Sequence, residues 1–119
     1  MSSIITHFKT LTKIPHCSKL ADRLFEFLVS FSKERGYVVE VDKVKNIHIS
    51  KGTPILCLQA HYDMVCMGKA PILETYIEDG WMKAKDASLG ADNGMAIACL
   101  LYTSPSPRDI EVHLVCRLL

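Results

Sequence analysis

Several features are missing from this sequence, and each absence narrows the class of protein. The 119 residues carry a formal net charge of only +1, so we do not expect charge-driven binding to nucleic acid or to an anionic membrane. No apolar run is long enough to span a bilayer, and residues 1–7 have neither the basic start nor the apolar stretch of a signal peptide. These absences predict a cytoplasmic location.

The cysteines lack the pattern of a disulfide framework. There are five of them, an odd number, and none forms a C-x-x-C pair. This usage is typical of a reducing compartment, and most of the thiols are predicted to be buried small hydrophobes. A zinc site made of Cys57, His61 and Cys66 is disfavoured, because the spacing matches no zinc-finger pattern and a fourth ligand is not apparent.

Helix and strand patterns alternate along the chain. A first helix is predicted to start at Ser2 or Ser3 and to end before Pro15. A second, longer helix is predicted to be capped by Ser18 and closed by Gly36. An apolar helix is predicted over residues 94–101. Strands are predicted over residues 37–41, 46–49, 55–59 and 110–116, and a hairpin over 75–77 and 81–85.

This order of elements predicts an α/β fold in which a mixed sheet forms a sandwich with the helices. The apolar run 55–58 is typical of a buried, central strand. Ligand sites in such folds collect beyond the carboxyl ends of the strands, where His61 and Asp63 lie. The hairpin is expected beside that site.

A histidine and two aspartates form the candidate site. Residues two apart in an extended segment point the same way, so His61 can offer a ring nitrogen to a metal while Asp63 orients the ring. Asp92 follows 29 residues later near the predicted start of a helix, where backbone N–H groups favour negative charge. A carboxylate there can bridge two zinc ions about 3.5 to 4 Å apart. His-x-Asp by itself is a common pattern, and an isolated histidine after a strand is usually structural.

Four ordered blocks strengthen the zinc interpretation. The first is an opening block made of residues 7–9, 11–12, 14–15, 36–37 and 46–47. The other three are His-Tyr-Asp-Met-Val-Cys at 61–66, Gly-Trp-Met-Lys-Ala-Lys at 80–85 and Leu-Gly-Ala-Asp-Asn-Gly at 89–94. Over residues 4–101 the sequence resembles the aminoacyl-histidine dipeptidases, also called Xaa-His or cytosol non-specific dipeptidases. This family is a branch of the di-zinc metallopeptidases.

The resemblance implies a role for each candidate residue. His61 would ligate one zinc, Asp63 would be the catalytic aspartate that holds His61, and Asp92 would bridge two zinc ions. It also implies a cis peptide bond between Asp92 and Asn93. The family's Glu-Glu pair, which supplies the general base and a ligand, and its later Asp and His ligands are not found here. The chain is therefore expected to be an N-terminal part of a catalytic domain, inactive alone.

The implied partner is a small peptide substrate such as Xaa-His, without nucleic acid or membrane, and the full-length form would be a homodimer. Two alternatives stay open. One is a non-catalytic fragment that binds metal weakly at most. The other is a related tripeptidase or N-acyl amino acid hydrolase, because the superfamily shares His-x-Asp.

The remaining polar candidates receive structural interpretations. His48 is predicted to point to solvent from a strand. His7 and His16 are far in sequence from any second ligand. Lys83 and Lys85 flank the site segment, where contact with a substrate carboxylate is an open alternative.

We divide the chain into residues 1–101, a partial zinc-peptidase catalytic domain, and residues 102–119, an atypical tail. Pro105 and Pro107 end the helix pattern there. One hypothesis is that the tail is an artefact, because it resembles translated sequencing-adaptor sequence. The other is a genuine Ser-Pro loop that leads to an edge strand.

Overall fold

A computed structural model describes residues 3–53 and 56–103 together with the backbone of residues 112–117. Within these ranges the chain forms helices and strands in alternation. The helices are α1 (Ile4–Thr12), α2 (Asp22–Glu34) and α3 (Ala91–Thr103). The strands are β1 (Val38–Val41), β2 (Ile47–Ser50), β3 (Leu56–His61), β4 (Thr75–Glu78), β5 (Trp81–Ala84) and β6 (Val112–Arg117).

Side-chain capping explains where the first helix starts, but not where the second one does. Ser3 caps α1, because its Oγ accepts a hydrogen bond from Thr6 N at 3.1 Å. The prediction that Ser18 caps α2 is wrong: Ala21 occupies the cap position, and no side chain bonds the helix start there. The Ser18 hydroxyl donates instead to the Asp63 carboxylate, and bonds to charged acceptors are stronger than those to neutral ones.

The larger sheet has the strand order β1-β2-β6-β3. β2 pairs antiparallel with both β1 and β6, while β6 pairs parallel with β3. The predicted mixed α/β architecture is therefore confirmed. The predicted strand 110–116 is present from Val112, residues 110 and 111 lying outside the described part, and it runs inside the sheet rather than at its edge.

The prediction of a buried, central strand at residues 55–59 is wrong. β3 is the last strand of the sheet order, and both Leu56 and Cys57 are exposed. Only the face that carries Leu58 and Ala60 joins the core. An edge strand of this sheet with one covered face cannot bury a continuous apolar run, and Ile55 lies outside the described residues.

The core lies between the three helices and one face of the sheet. Strand β2 shows this clearly, because Ile47 and Ile49 are buried. His48 lies between them on the other face of the sheet, with its Nδ1 3.1 Å from Glu40 Oε2. The largest fully buried side chains from the helices and from the segment after β3 are Leu11, Leu24, Leu28, Ile97, Tyr62 and Met64. Among the described residues, no helix is both long and apolar enough to cross a membrane.

Leu28→Ala is expected to lower the free energy of unfolding by about 2–5 kcal/mol. The reason is that Leu28 is completely buried, so its removal loses apolar burial and leaves a cavity. Leu20→Ala is the matched control, because Leu20 is 74% exposed, and its effect should stay within about 0.5 kcal/mol. Urea unfolding of both variants measures the difference; equal losses would contradict the packing described above.

β4 and β5 form the predicted hairpin. Its two turn residues, Asp79 and Gly80, have φ angles of 51° and 79°, as a tight two-residue hairpin turn requires. Lys83 Nζ pairs with Glu78 Oε2 at 2.6 Å across the hairpin. The sequence had left open whether Lys83 contacts a substrate carboxylate. In the structure the ammonium group of Lys83 is paired with Glu78 instead.

Candidate metal centre

His61 and Asp63 are brought together at the carboxyl end of β3. The His61 ring lies with Nδ1 3.0 Å from the Asp63 carbonyl oxygen and 3.5 Å from Asp63 Oδ1. Because a carbonyl oxygen can only accept, Nδ1 is the donor in that hydrogen bond. Asp63 is 4% exposed, so it holds the ring from the protein side and leaves Nε2 on the open side.

Asp92 completes the group from the start of α3. Its Oδ1 lies 3.1 Å from His61 Nε2, and its side chain is 95% exposed. Asp92 and Asn93 depart from helical backbone angles, and the peptide bond between them is cis, as the sequence resemblance implied. Regular helix follows from Gly94, so the carboxylate lies just ahead of a helix N-terminus, where negative charge is favoured.

The segment of residues 16–18 lies beside the site, a placement that sequence reasoning missed. Met64 N donates to the His16 carbonyl at 2.9 Å, and Ser18 N donates to the Met64 carbonyl at 2.9 Å. Ser18 Oγ donates to Asp63 Oδ2 at 2.6 Å. No sequence signal could have revealed this contact, because the two side chains are 45 residues apart.

A disulfide joins the same two segments and corrects the predicted state of the cysteines. Cys17 and Cys66 are bonded, with their Cα atoms 5.5 Å apart. The backbone bridge between Cys17 and Met64 brings them together, and spacing in the sequence carries no sign of it. Of the other described cysteines, Cys57 is exposed and Cys99 is half-buried. Since Cys66 is bonded to Cys17, the disfavoured Cys57, His61 and Cys66 zinc site is not formed.

His16 is buried beneath the site rather than remote from it. It is 4% exposed, and its Nδ1 donates to the Ile14 carbonyl at 2.6 Å. Gly90 lies close by with φ at +77°, and a Cβ atom there would come within 2.9 Å of Met64 Sδ and 3.4 Å of His16 Nε2. Burial lowers the pKa of His16 below 6.5, although the Ile14 hydrogen bond and the Asp63 charge act in the opposite direction.

The lowered pKa of His16 predicts a pH dependence of stability. Below pH 6.5 the unfolded chain takes up a proton at His16 that the folded chain resists, so the free energy of unfolding should fall as the pH drops from 6.5 towards the folded pKa. Above pH 6.5 this contribution is constant. His16→Asn should flatten the dependence below pH 6.5. Urea unfolding at several pH values tests this, and identical slopes for wild type and His16→Asn would contradict it.

The site opens into a cavity of about 400 Å³. Its walls combine polar and apolar side chains from the segments around β3, the turn before α3 and the loops that flank the hairpin. The lining residues are Ser18, His61, Asp63, Val65, Met67, Ser88, Gly90 and Asp92. None of the described residues that line it belongs to β4 or β5, so the hairpin borders the site only through its connecting loops.

The donor set fits part of a zinc site. Zinc lies about 2.0–2.2 Å from histidine nitrogen and carboxylate oxygen, so two tetrahedral ligands are separated by roughly 3.3 to 3.6 Å. The 3.1 Å between His61 Nε2 and Asp92 Oδ1 is about 0.2 Å shorter than that range, so a small side-chain movement would let both atoms reach one ion. Asp63 lies on the other side of the His61 ring, where a supporting carboxylate is usual. The part of the chain that the structure describes holds no group of three or more metal-binding side chains. It therefore supplies an incomplete set.

Known proteins resemble this chain in sequence and in fold, although no family model matches it. The cytosol non-specific dipeptidase of Escherichia coli (strain K12) is 39% identical over 111 residues, which covers 79% of this chain and 22% of that protein. The crystal structure of aminoacylhistidine dipeptidase from Vibrio alginolyticus superposes with a TM-score of 0.86 at 27% identity, covering 98% of this chain and 27% of that one.

A more distant likeness shows the fold alone. A tripeptidase from Staphylococcus aureus superposes with a TM-score of 0.82 at 18% identity, covering 97% of this chain and 35% of that one. The chain thus spans between about a fifth and a third of the length of these proteins.

Proposed function

Since the chain belongs, as a partial-length sequence, to the family of the cytosol non-specific and aminoacylhistidine dipeptidases, we propose that it contributes to zinc-dependent hydrolysis of dipeptides of the Xaa-His type by a complete enzyme. His61 serves as a zinc ligand, Asp63 as the catalytic aspartate that holds its ring, and Asp92 as the carboxylate that bridges two zinc ions. The observation that carries the proposal is the 3.1 Å approach of His61 Nε2 to Asp92 Oδ1 with Asp63 behind the ring.

The chemistry divides between metal and protein. Zinc, held by His61 and Asp92, would supply a Lewis acid for the scissile carbonyl and for the attacking water. Asp63 keeps His61 Nδ1 engaged, so that Nε2 faces outwards. The Asp92 carboxylate lies on the solvent-exposed side of the His61 ring and has two oxygens that can bind metal. The cavity of about 400 Å³ lies within the range of about 300–1,000 Å³ for small-molecule sites, which suits a dipeptide.

The chain alone is expected to bind metal weakly and to be inactive. A catalytic zinc site generally needs three protein ligands for each metal, and the described residues turn only His61 and Asp92 towards one. The complete site would hold two zinc ions, with the general base supplied from elsewhere. Residues 1–101 are proposed as the partial catalytic domain and residues 102–119 as its atypical tail, of which Val112–Arg117 form β6 inside the sheet of that domain.

We also propose a cellular location, a substrate and an oligomeric state for this chain. The proposed location is the cytoplasm, because the relative is named a cytosol dipeptidase. The proposed partner is a small peptide substrate, without nucleic acid or membrane. The full-length form is proposed to be a homodimer.

A segment exchange tests the function. Residues 1–101 of this chain would replace the matching segment of the Escherichia coli cytosol non-specific dipeptidase, and hydrolysis of Xaa-His dipeptides would be measured with and without zinc. We expect zinc-dependent hydrolysis, and its loss when the exchanged segment carries His61→Ala. The matched control is His48→Ala, which changes the same residue type on the outer face of the sheet and should keep activity.

The same protein separates the alternatives. Faster hydrolysis of tripeptides or N-acyl amino acids than of dipeptides would favour a tripeptidase or an acyl hydrolase. A folded hybrid that holds zinc yet hydrolyses none of these substrates would favour the non-catalytic fragment. Either result would overturn the proposed dipeptidase function.

A further inference from the structure

We propose that Ser18 is a positioning residue that holds the Asp63 carboxylate towards His61 and so prepares His61 Nε2 for the metal; this inference rests on the proposed zinc function. The two carboxylate oxygens have different partners. Oδ2 accepts the Ser18 hydroxyl at 2.6 Å, whereas Oδ1 lies 3.5 Å from His61 Nδ1. Fixing one oxygen fixes the rotation of the carboxylate, and therefore the position of the other.

The surroundings make this bond effective. Asp63 is 4% exposed, so bulk water competes little for its oxygens, and a hydrogen bond is stronger in such a site. A serine hydroxyl that donates to a carboxylate is also charge-assisted, and hence among the stronger hydrogen bonds. Ser18 is therefore able to restrain the rotation of the Asp63 carboxylate about its side-chain bonds.

Ser18 is itself held in place by its backbone. Its N–H donates to the Met64 carbonyl at 2.9 Å, one residue beyond Asp63. The preceding residue, Cys17, is bonded to Cys66. Met64 N also donates to the His16 carbonyl at 2.9 Å. The hydroxyl thus reaches Asp63 from a segment that is attached at several points to the residues just after Asp63, which limits the movement of donor and acceptor relative to each other.

A purely structural role for Ser18 makes a different prediction. Its hydroxyl also lies 3.2 Å from the Met64 carbonyl, so the side chain could do no more than join two loops. Ser88 provides the matched comparison, because it lines the same cavity and its hydroxyl joins loop backbone, donating to Val65 O at 2.7 Å and accepting from Met67 N at 3.0 Å. Ser88 thus stabilises the same loop through backbone contacts.

The first experiment measures zinc dissociation constants of the 119-residue chain by competition with a chromophoric chelator. Ser18→Ala should weaken binding by about 10-fold, the lower end of the loss for residues that support a ligand from behind. Ser18→Thr should restore most of the affinity, because Thr keeps the hydroxyl and Ser18 is exposed enough to accept a methyl group. Ser88→Ala should leave the affinity unchanged. An equal loss in both alanine variants would overturn the inference.

A double-mutant cycle shows whether Ser18 acts through Asp63. In an Asp63→Ala background, Ser18→Ala should cause no further loss of zinc affinity, because the group that it positions is gone. An additional 10-fold loss in that background would overturn the inference. Thermal unfolding of each variant in parallel identifies any general loss of structure, and Ser18→Thr keeps the test valid if the alanine variant is unstable.

The second experiment needs no metal and separates this inference from the proposed function. In metal-free crystal structures, Ser18→Ala should let the Asp63 carboxylate rotate and lengthen the 3.5 Å separation of Oδ1 from His61 Nδ1, whereas Ser88→Ala should preserve it. An unmoved carboxylate in Ser18→Ala would overturn the inference. If the wild-type chain binds no zinc, the proposed metal site fails for this chain, and the metal-free structures still decide the role of Ser18.

Discussion

Replacing His61 with alanine is expected to abolish measurable zinc binding by this chain. His61 Nε2 and Asp92 Oδ1 lie 3.1 Å apart and form the donor pair of the proposed zinc site. Loss of a supporting group alone costs about 10- to 100-fold in metal affinity, so loss of the ligand itself should exceed about 100-fold by the same measure. Isothermal titration with zinc, at a pH where histidine is neutral, gives the affinity.

A second histidine provides the control for this result. His48→Ala removes an imidazole from the outer face of the sheet, where it pairs with Glu40, and should leave the zinc affinity within error of wild type. Equal losses in the two variants would mean that zinc binds at scattered surface histidines. Unchanged binding in His61→Ala would remove His61 from the proposed ligand set.

Removing the disulfide is expected to cause a large loss of stability. The bond between Cys17 and Cys66 closes a loop with a sequence separation of 49, for which the chain-entropy estimate is about 4 kcal/mol. The double variant Cys17→Ser, Cys66→Ser should therefore lose about that much free energy of unfolding under oxidising conditions. Urea unfolding measures the change.

A reductant and a third cysteine make the test specific. Dithiothreitol should destabilise the wild-type chain and leave the double variant unaffected, because the bond between Cys17 and Cys66 is present only in the former. Cys57→Ser should change little, since Cys57 is an exposed free thiol. Wild-type stability that does not respond to reductant would show that the bond contributes nothing. In a reducing cytoplasm the pair would be kept as thiols, and this contribution would be absent there.

Much of the fold could be predicted because its signals are local. The spacing of apolar residues indicated α1 and α2, and the Asp79-Gly80 turn indicated the hairpin of β4 and β5. These features depend on neighbours within a few residues. The predictions that failed depend on distant contacts: Ser18 bonds Asp63 rather than capping α2, and β3 is an edge strand with Leu56 exposed.

The candidate site follows the same division. His61, Asp63 and Asp92 could be selected from their motifs, and the structure brings them together. Their roles as ligand, orienting carboxylate and bridge remain proposals. His16 and Ser18 could not be selected, because their relation to the site arises only when residues 16–18 pair with Met64.

The sequence by itself determined the family of this chain, its alternation of helices and strands, and the three residues of the candidate centre. Residue type and short-range spacing carry that information. The tertiary structure alone decided which faces are buried, that Cys17 and Cys66 meet, and that Ser18 reaches the carboxylate of Asp63. These contacts join segments more than 40 residues apart, and their geometry is fixed by the packing of the whole chain rather than by any local pattern.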